Sequence, residues 1–72
     1  MAEYELSALI TEEDGWYVAR CIELDVTSQG RTIEEAKSNL KEAVQLYLES
    51  FGTEGLPTAD TEPIFTTIKV AA

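Results

Sequence analysis

Seventy-two residues allow one small domain with a thin core, since a chain of this size buries only about 60% of the surface its unfolded form exposes. The lone cysteine, Cys21, excludes an internal disulfide, and the absence of histidine removes the usual zinc sites and every His-dependent nucleophile–base pair. Fourteen acidic residues against five basic ones leave a net charge of −9, a field that repels nucleic acid and attracts a basic protein, while a hydrophobic share of 44% is that of an ordinary globular chain.

The N-terminus carries Glu3 and Glu5 and no basic residue, so it lacks the form of a signal peptide. No apolar run approaches the roughly 18 residues needed to span a bilayer, and the expected setting is the cytoplasm. In residues 4–11, YELSALIT, Tyr4, Leu6, Ala8 and Ile10 alternate with Glu5, Ser7 and Thr11, a strand pattern broken only by Leu9. Residues 12–15, EEDG, read as a turn whose Asp-Gly pair suits positive φ. Residues 16–22, WYVARCI, are aromatic and β-branched and complete a β-hairpin. A polar break at 23–25 precedes a short third strand at 26–29, ended by Gly30.

The helix signals are the densest in the chain. Thr32 is the N-cap and Glu35, three residues on, completes a capping box. Ile33, Ala36, Leu40, Val44, Tyr47, Leu48 and Phe51 recur at three- and four-residue spacing, with core packing expected for most of the bulky residues at the end. Glu34 and Glu35 suit the positive end of the helix dipole, and Gly52 is a natural stop. Residues 53–63, with Gly55, Pro57 and Pro63, read as loop, and residues 65–70, FTTIKV, as a last strand. The expected fold is therefore α+β in the order β-β-β-α-β, a single domain over 1–72 with one helix on one face of a small, mainly antiparallel sheet. The other face lacks a cover, which calls for self-association as a dimer or higher, or for a partner.

Few residues carry a chemical signal. Trp16 and Tyr17 are strand neighbours and point to opposite faces, so one belongs to the core and the other to a surface or an interface. Glu12, Glu13 and Asp14 form a solvated turn tip more readily than a cation site. Glu5, Glu23 and Glu35 are the carboxylates a two-metal nuclease would need, but Glu35 is already explained by the capping box and nothing in the spacing forces convergence. Cys21 reads as a buried structural thiol, with Arg20 directed to the opposite face. No catalytic residue, cofactor or metal is expected.

Several fragments together carry a family resemblance. Asp14-Gly15-Trp16-Tyr17-Val18-Ala19 resembles the DGGYVA stretch of HicB-like antitoxins, and Cys21-Ile22-Glu23-Leu24 is similar to their CPEL. Ser28-Gln29-Gly30 with Thr32-Ile33-Glu34-Glu35-Ala36 resembles SQGDTLEEA, and residues 39–48, NLKEAVQLYL, resemble NLREAIELYL. The segment 22–27 lacks the prolines and the glycine usual in that family.

The resemblance implies a β-β-β-α-β domain likened to a truncated ribonuclease H core, without catalytic activity. It also implies an activity, the neutralisation of a HicA-type toxin, a small basic RNase with a double-stranded-RNA-binding-like fold. Many members carry a C-terminal DNA-binding domain, for which the sequence ending at Ala72 leaves no room; a single-domain member is expected. The functional expectation is that an acidic surface occludes the toxin's RNA-binding face. The candidate contact residues are Glu12, Glu13, Asp14, Trp16 and Glu23, with Asp25 and Glu49 behind them. The alternative is an orphan homo-oligomeric scaffold or adaptor with no toxin.

Overall fold

The hairpin forms as its turn chemistry dictates. Asp14 (φ 52°) and Gly15 (φ 81°) both take positive φ, the geometry of a two-residue loop whose twist matches its strands. The computed structural model describes residues 4–54, 56 and 64–72. Strand β1 (Ala8–Glu13) pairs antiparallel with β2 (Trp16–Cys21), Glu13 lying opposite Trp16 and Ala8 opposite Cys21. A tight turn follows, in which Asp25 (φ 55°) donates its amide to the Cys21 carbonyl at 2.9 Å. Strand β3 (Val26–Gly30) then pairs antiparallel with β2, giving the order β1-β2-β3.

Helix α1 (Ile33–Phe51) begins at its expected cap, with the Thr32 hydroxyl oxygen accepting from the Glu35 amide at 3.0 Å. The Glu35 carboxylate accepts from the Arg31 amide at 3.1 Å, one residue farther back than in the usual capping box. At the other end the Gly52 amide (φ 84°) donates to the Leu48 carbonyl at 2.8 Å.

Period-2 alternation directs Tyr17, Ala19 and Cys21 of β2 toward the helix. Ala19 and Cys21 meet Ala36 and Leu40 in a small buried core, with Leu6, Ile10, Leu24, Val26 and Val44 packed around them. Gly30 sets how closely the helix approaches. A Cβ there would lie 2.6 Å from the Ala36 amide nitrogen and 2.9 Å from the Glu35 carbonyl carbon, and neither backbone atom can yield cheaply. The helix consequently lies over β3 and β2 and scarcely touches β1.

Four expectations need correction. The first strand starts at Ala8 rather than Tyr4 and runs on through Glu12 and Glu13, so the turn shrinks to Asp14-Gly15. The second ends at Cys21, and Ile22 is exposed. Phe51 is 73% exposed and contacts Tyr47 at a ring-centroid distance of 4.7 Å instead of entering the core. The cause is a length mismatch: nineteen helical residues reach about 28 Å, while strands of five or six residues reach about 20 Å, so the last turns overhang the sheet.

The fourth concerns the last segment. Residues 65–70 form no strand, and Ile64, Phe65, Ile68 and Val70 are exposed. A strand-prone sequence becomes a strand only against a neighbour that supplies hydrogen bonds and packing, and among the described residues it has none. The observed order is three antiparallel strands followed by one helix, an α+β arrangement. Of the loop expected at 53–63, residues 55 and 57–63 lie outside the described part.

Candidate functional site

The two-residue turn brings four of the five candidate contact residues to one end of the sheet. Asp14 occupies the turn, Glu13 and Trp16 face each other across the strands, and Glu12 lies opposite Tyr17. Because the faces alternate, Tyr17 and Glu12 lie on the helix side and Trp16 and Glu13 on the open side. The choice between the two aromatics, undecided from sequence, is settled: Tyr17 packs against the core and Trp16 does not. The three acidic residues are exposed, and the Thr11 hydroxyl donates to Glu13 at 3.4 Å.

Trp16 is half-buried under a cation. The Arg31 guanidinium carbon lies 3.8 Å from the centre of its ring, a cation–π contact worth about 0.5–1 kcal/mol at an exposed site. Arg31 sits just past β3, fifteen residues from Trp16, and no local sequence signal pairs them. Together they place a flat aromatic–guanidinium stack on the same face as Glu13, next to the turn that holds Asp14.

Glu23 is elsewhere. It lies past the far end of β2, where its carboxylate accepts from both the amide and the hydroxyl of Ser7, each at 2.7 Å. The Cys21 thiol is a third, longer donor at 3.8 Å. Ser7 itself is only 5% exposed, and its carbonyl accepts from the Ile22 amide at 3.0 Å, so every polar atom it buries is satisfied. Burial pushes the Glu23 carboxyl pKa up, but the Ser7 hydroxyl and amide outweigh burial and hold it below the usual value. Burial likewise raises the Cys21 pKa, which keeps the thiol protonated and unreactive. Glu23 is thus a clamp between the entry to β1 and the exit from β2.

The weaker candidates are also separated. Asp25 pairs with Arg20 at 2.9 Å, both largely exposed, and Glu49 is exposed near the end of α1. The side of the sheet away from the helix presents Leu9, Trp16, Val18, Arg20, Thr27 and Gln29.

A concavity was not legible in sequence. Because the helix sits over β3 and β2, a groove of about 490 Å³ runs between the entry to β1 and the helix. Leu6, Ala8, Leu40 and Val44 make its wall apolar, and Lys37 and Lys41 of α1 also line it. Among the described residues, no three of Cys, Asp and Glu come together as a metal-holding group, and no helix is long and apolar enough to cross a membrane.

The chain is similar to two proteins of Synechocystis sp. (strain ATCC 27184 / PCC 6803 / Kazusa). It is 51% identical over 47 residues to UPF0150 protein ssl0738, covering 62% of this chain and 65% of that one, a little under two thirds of its length. It is 45% identical over 56 residues to UPF0150 protein ssr1765, covering 75% of this chain and 71% of that one. No solved structure matches. A family model matches residues 2–68, and the chain belongs to that family, DUF7387, a family of unknown function.

Proposed function

We propose that the chain is a HicB-like, antitoxin-type protein that binds a small basic RNase of the HicA type and neutralises it by covering its RNA-binding surface. In this reading it acts in the cytoplasm, performs no catalysis, self-associates, and has the core of a truncated ribonuclease H fold. The observation that carries the proposal is the hairpin tip, where Glu13 lies across the strands from Trp16 under Arg31, Asp14 occupies the turn and Glu12 stands on the opposite face. An aromatic anchor at an exposed, mainly acidic end of the sheet is the make-up of a surface that meets a basic protein. The net charge of −9 would steer a basic partner toward it and speed encounter. Glu23, engaged with Ser7, would support the fold of this surface more than the contact itself.

The test is co-expression of the tagged chain with its neighbouring reading frame. Recovery of a small basic protein that arrests growth when expressed alone is the expected result. Changing Glu12, Glu13 and Asp14 together to Lys should then slow association roughly tenfold or more at low salt and flatten its salt dependence. Unchanged association would remove the tip from the contact. The open sheet face and the overhanging helix end favour a second reading, a homo-oligomeric scaffold with no toxin. Recovery of self-associated chain alone would select it.

A further inference from the structure

The groove beside β1 and the exposed C-terminal segment answer each other. Strand β1 stands at the edge of the sheet, so its outward amides and carbonyls are unpaired among the described residues. An edge of this kind is a template for another strand. The groove adjoining it is apolar, walled by Leu6 and Ala8 on one side and Leu40 and Val44 on the other. An added strand would therefore find both hydrogen-bond partners and an apolar floor.

The segment 64–70 has the form of that strand. Ile64, Thr66, Ile68 and Val70 alternate with Phe65, Thr67 and Lys69, so one face is apolar or β-branched throughout. Seven residues extend about 23 Å, against about 20 Å for the six residues of β1. Yet the segment stands away from its own body, with Ile64 91% and Ile68 82% exposed. The radius of gyration, 13.7 Å, exceeds the roughly 11 Å of a compact chain of this length. Its single charge, Lys69, falls on the alternate face of the segment, away from the Lys37 and Lys41 that line the groove.

We infer that the chain forms a dimer by reciprocal strand exchange, residues 64–70 of each copy pairing with the free edge of β1 in the other and laying Ile64, Ile68 and Val70 into the groove against Leu40 and Val44. The inference deepens the self-association in the proposed function by naming its segment and its receptor. It also supplies apolar cover to a molecule whose buried hydrophobic core is Ala19, Cys21, Ala36 and Leu40. Peptides that add a strand to an exposed edge take affinity from the main chain and specificity from alternate side chains, and both are present here.

The experiment uses the full chain. Light scattering should give about 16 kDa, twice the 8.0 kDa of one copy. Two differently tagged versions, one with Leu9→Cys on β1 and one with Thr67→Cys, are mixed, refolded together and treated with a short bismaleimide. Cys21 is buried and stays unlabelled in the folded protein. The expected product is a covalent heterodimer, and a chain carrying both cysteines should link to its twin. A monomeric mass, linkage within one chain, or a dimer in which these positions do not link would each overturn the inference. Ile68→Asp with Val70→Asp should lower the mass to about 8 kDa while the helical dichroism persists; a persisting dimer would also overturn it. If that variant unfolds, the cross-link still decides. Toxin capture, scored separately, distinguishes the two proposals: capture without exchange leaves the antitoxin reading standing, and exchange without capture removes that reading alone.

Discussion

Replacing Glu23 by alanine should unseat the segment that leads into β1. Ser7 is almost wholly buried, and its amide and hydroxyl both end on this carboxylate at 2.7 Å. The hydroxyl can rotate toward another acceptor; the amide cannot. A buried donor left unpaired costs about 1–3 kcal/mol, and loss of the hydroxyl bond adds on the order of 1 kcal/mol, so the expected loss is about 2–4 kcal/mol. In a domain of this size each kcal/mol moves Tm by about 4–8 °C. Thermal melts by circular dichroism at fixed protein concentration measure it, and a double-mutant cycle with Ser7→Ala isolates the hydroxyl share. The pH dependence has a definite sign. The folded pKa of Glu23 is lowered, so its contribution is complete above about pH 5 and is lost as pH falls through 4.5 and below. Glu23→Gln should remove that part of the acid sensitivity. An alanine variant within about 0.5 kcal/mol of the parent, the range of an ordinary surface change, would refute the clamp.

Three further outcomes follow from the geometry. Gly30→Ala should cost about 1–3 kcal/mol in urea unfolding, because its Cβ meets the backbone of Glu35 and Ala36; a neutral result would mean the helix can lift off β3 without loss. Thr32→Ala should cost about 1 kcal/mol through the lost Glu35 cap, with Thr32→Ser recovering most of it. Cys21 should react with a thiol reagent only through opening of the fold, at a rate that rises with urea; prompt labelling of the native chain at neutral pH would contradict its burial.

What the sequence made legible was local. Asp14-Gly15 marks its turn, Thr32 and Glu35 mark the helix start, Gly52 its end, and the three- and four-residue spacing marks its inner face. Each signal acts within a few residues. The missed features depend on separations that a single sequence does not pair. Ser7 looked like a solvent-facing alternate residue because its partner, Glu23, lies sixteen positions away. Trp16 was an anchor candidate, but the cation over its ring comes from Arg31. Phe51 fits the helical stripe, yet its burial depends on strand lengths. Residues 65–70 have the composition of a strand, and composition does not say which edge will receive it. The tip of the hairpin was readable as a cluster; the groove was not, since it arises from where the helix lies.

That placement traces to a joint. Only Arg31 and Thr32 stand between the last residue of β3 and the first residue of α1. So short a connection makes the helix start directly above the strand it follows, and Gly30 lets it settle there. The channel beside β1 is the width left over, fixed by loop length rather than by the residues along its walls. Inserting a few residues at this joint would free the helix to slide sideways and narrow the channel. Its receptivity would then change without altering any side chain that lines it.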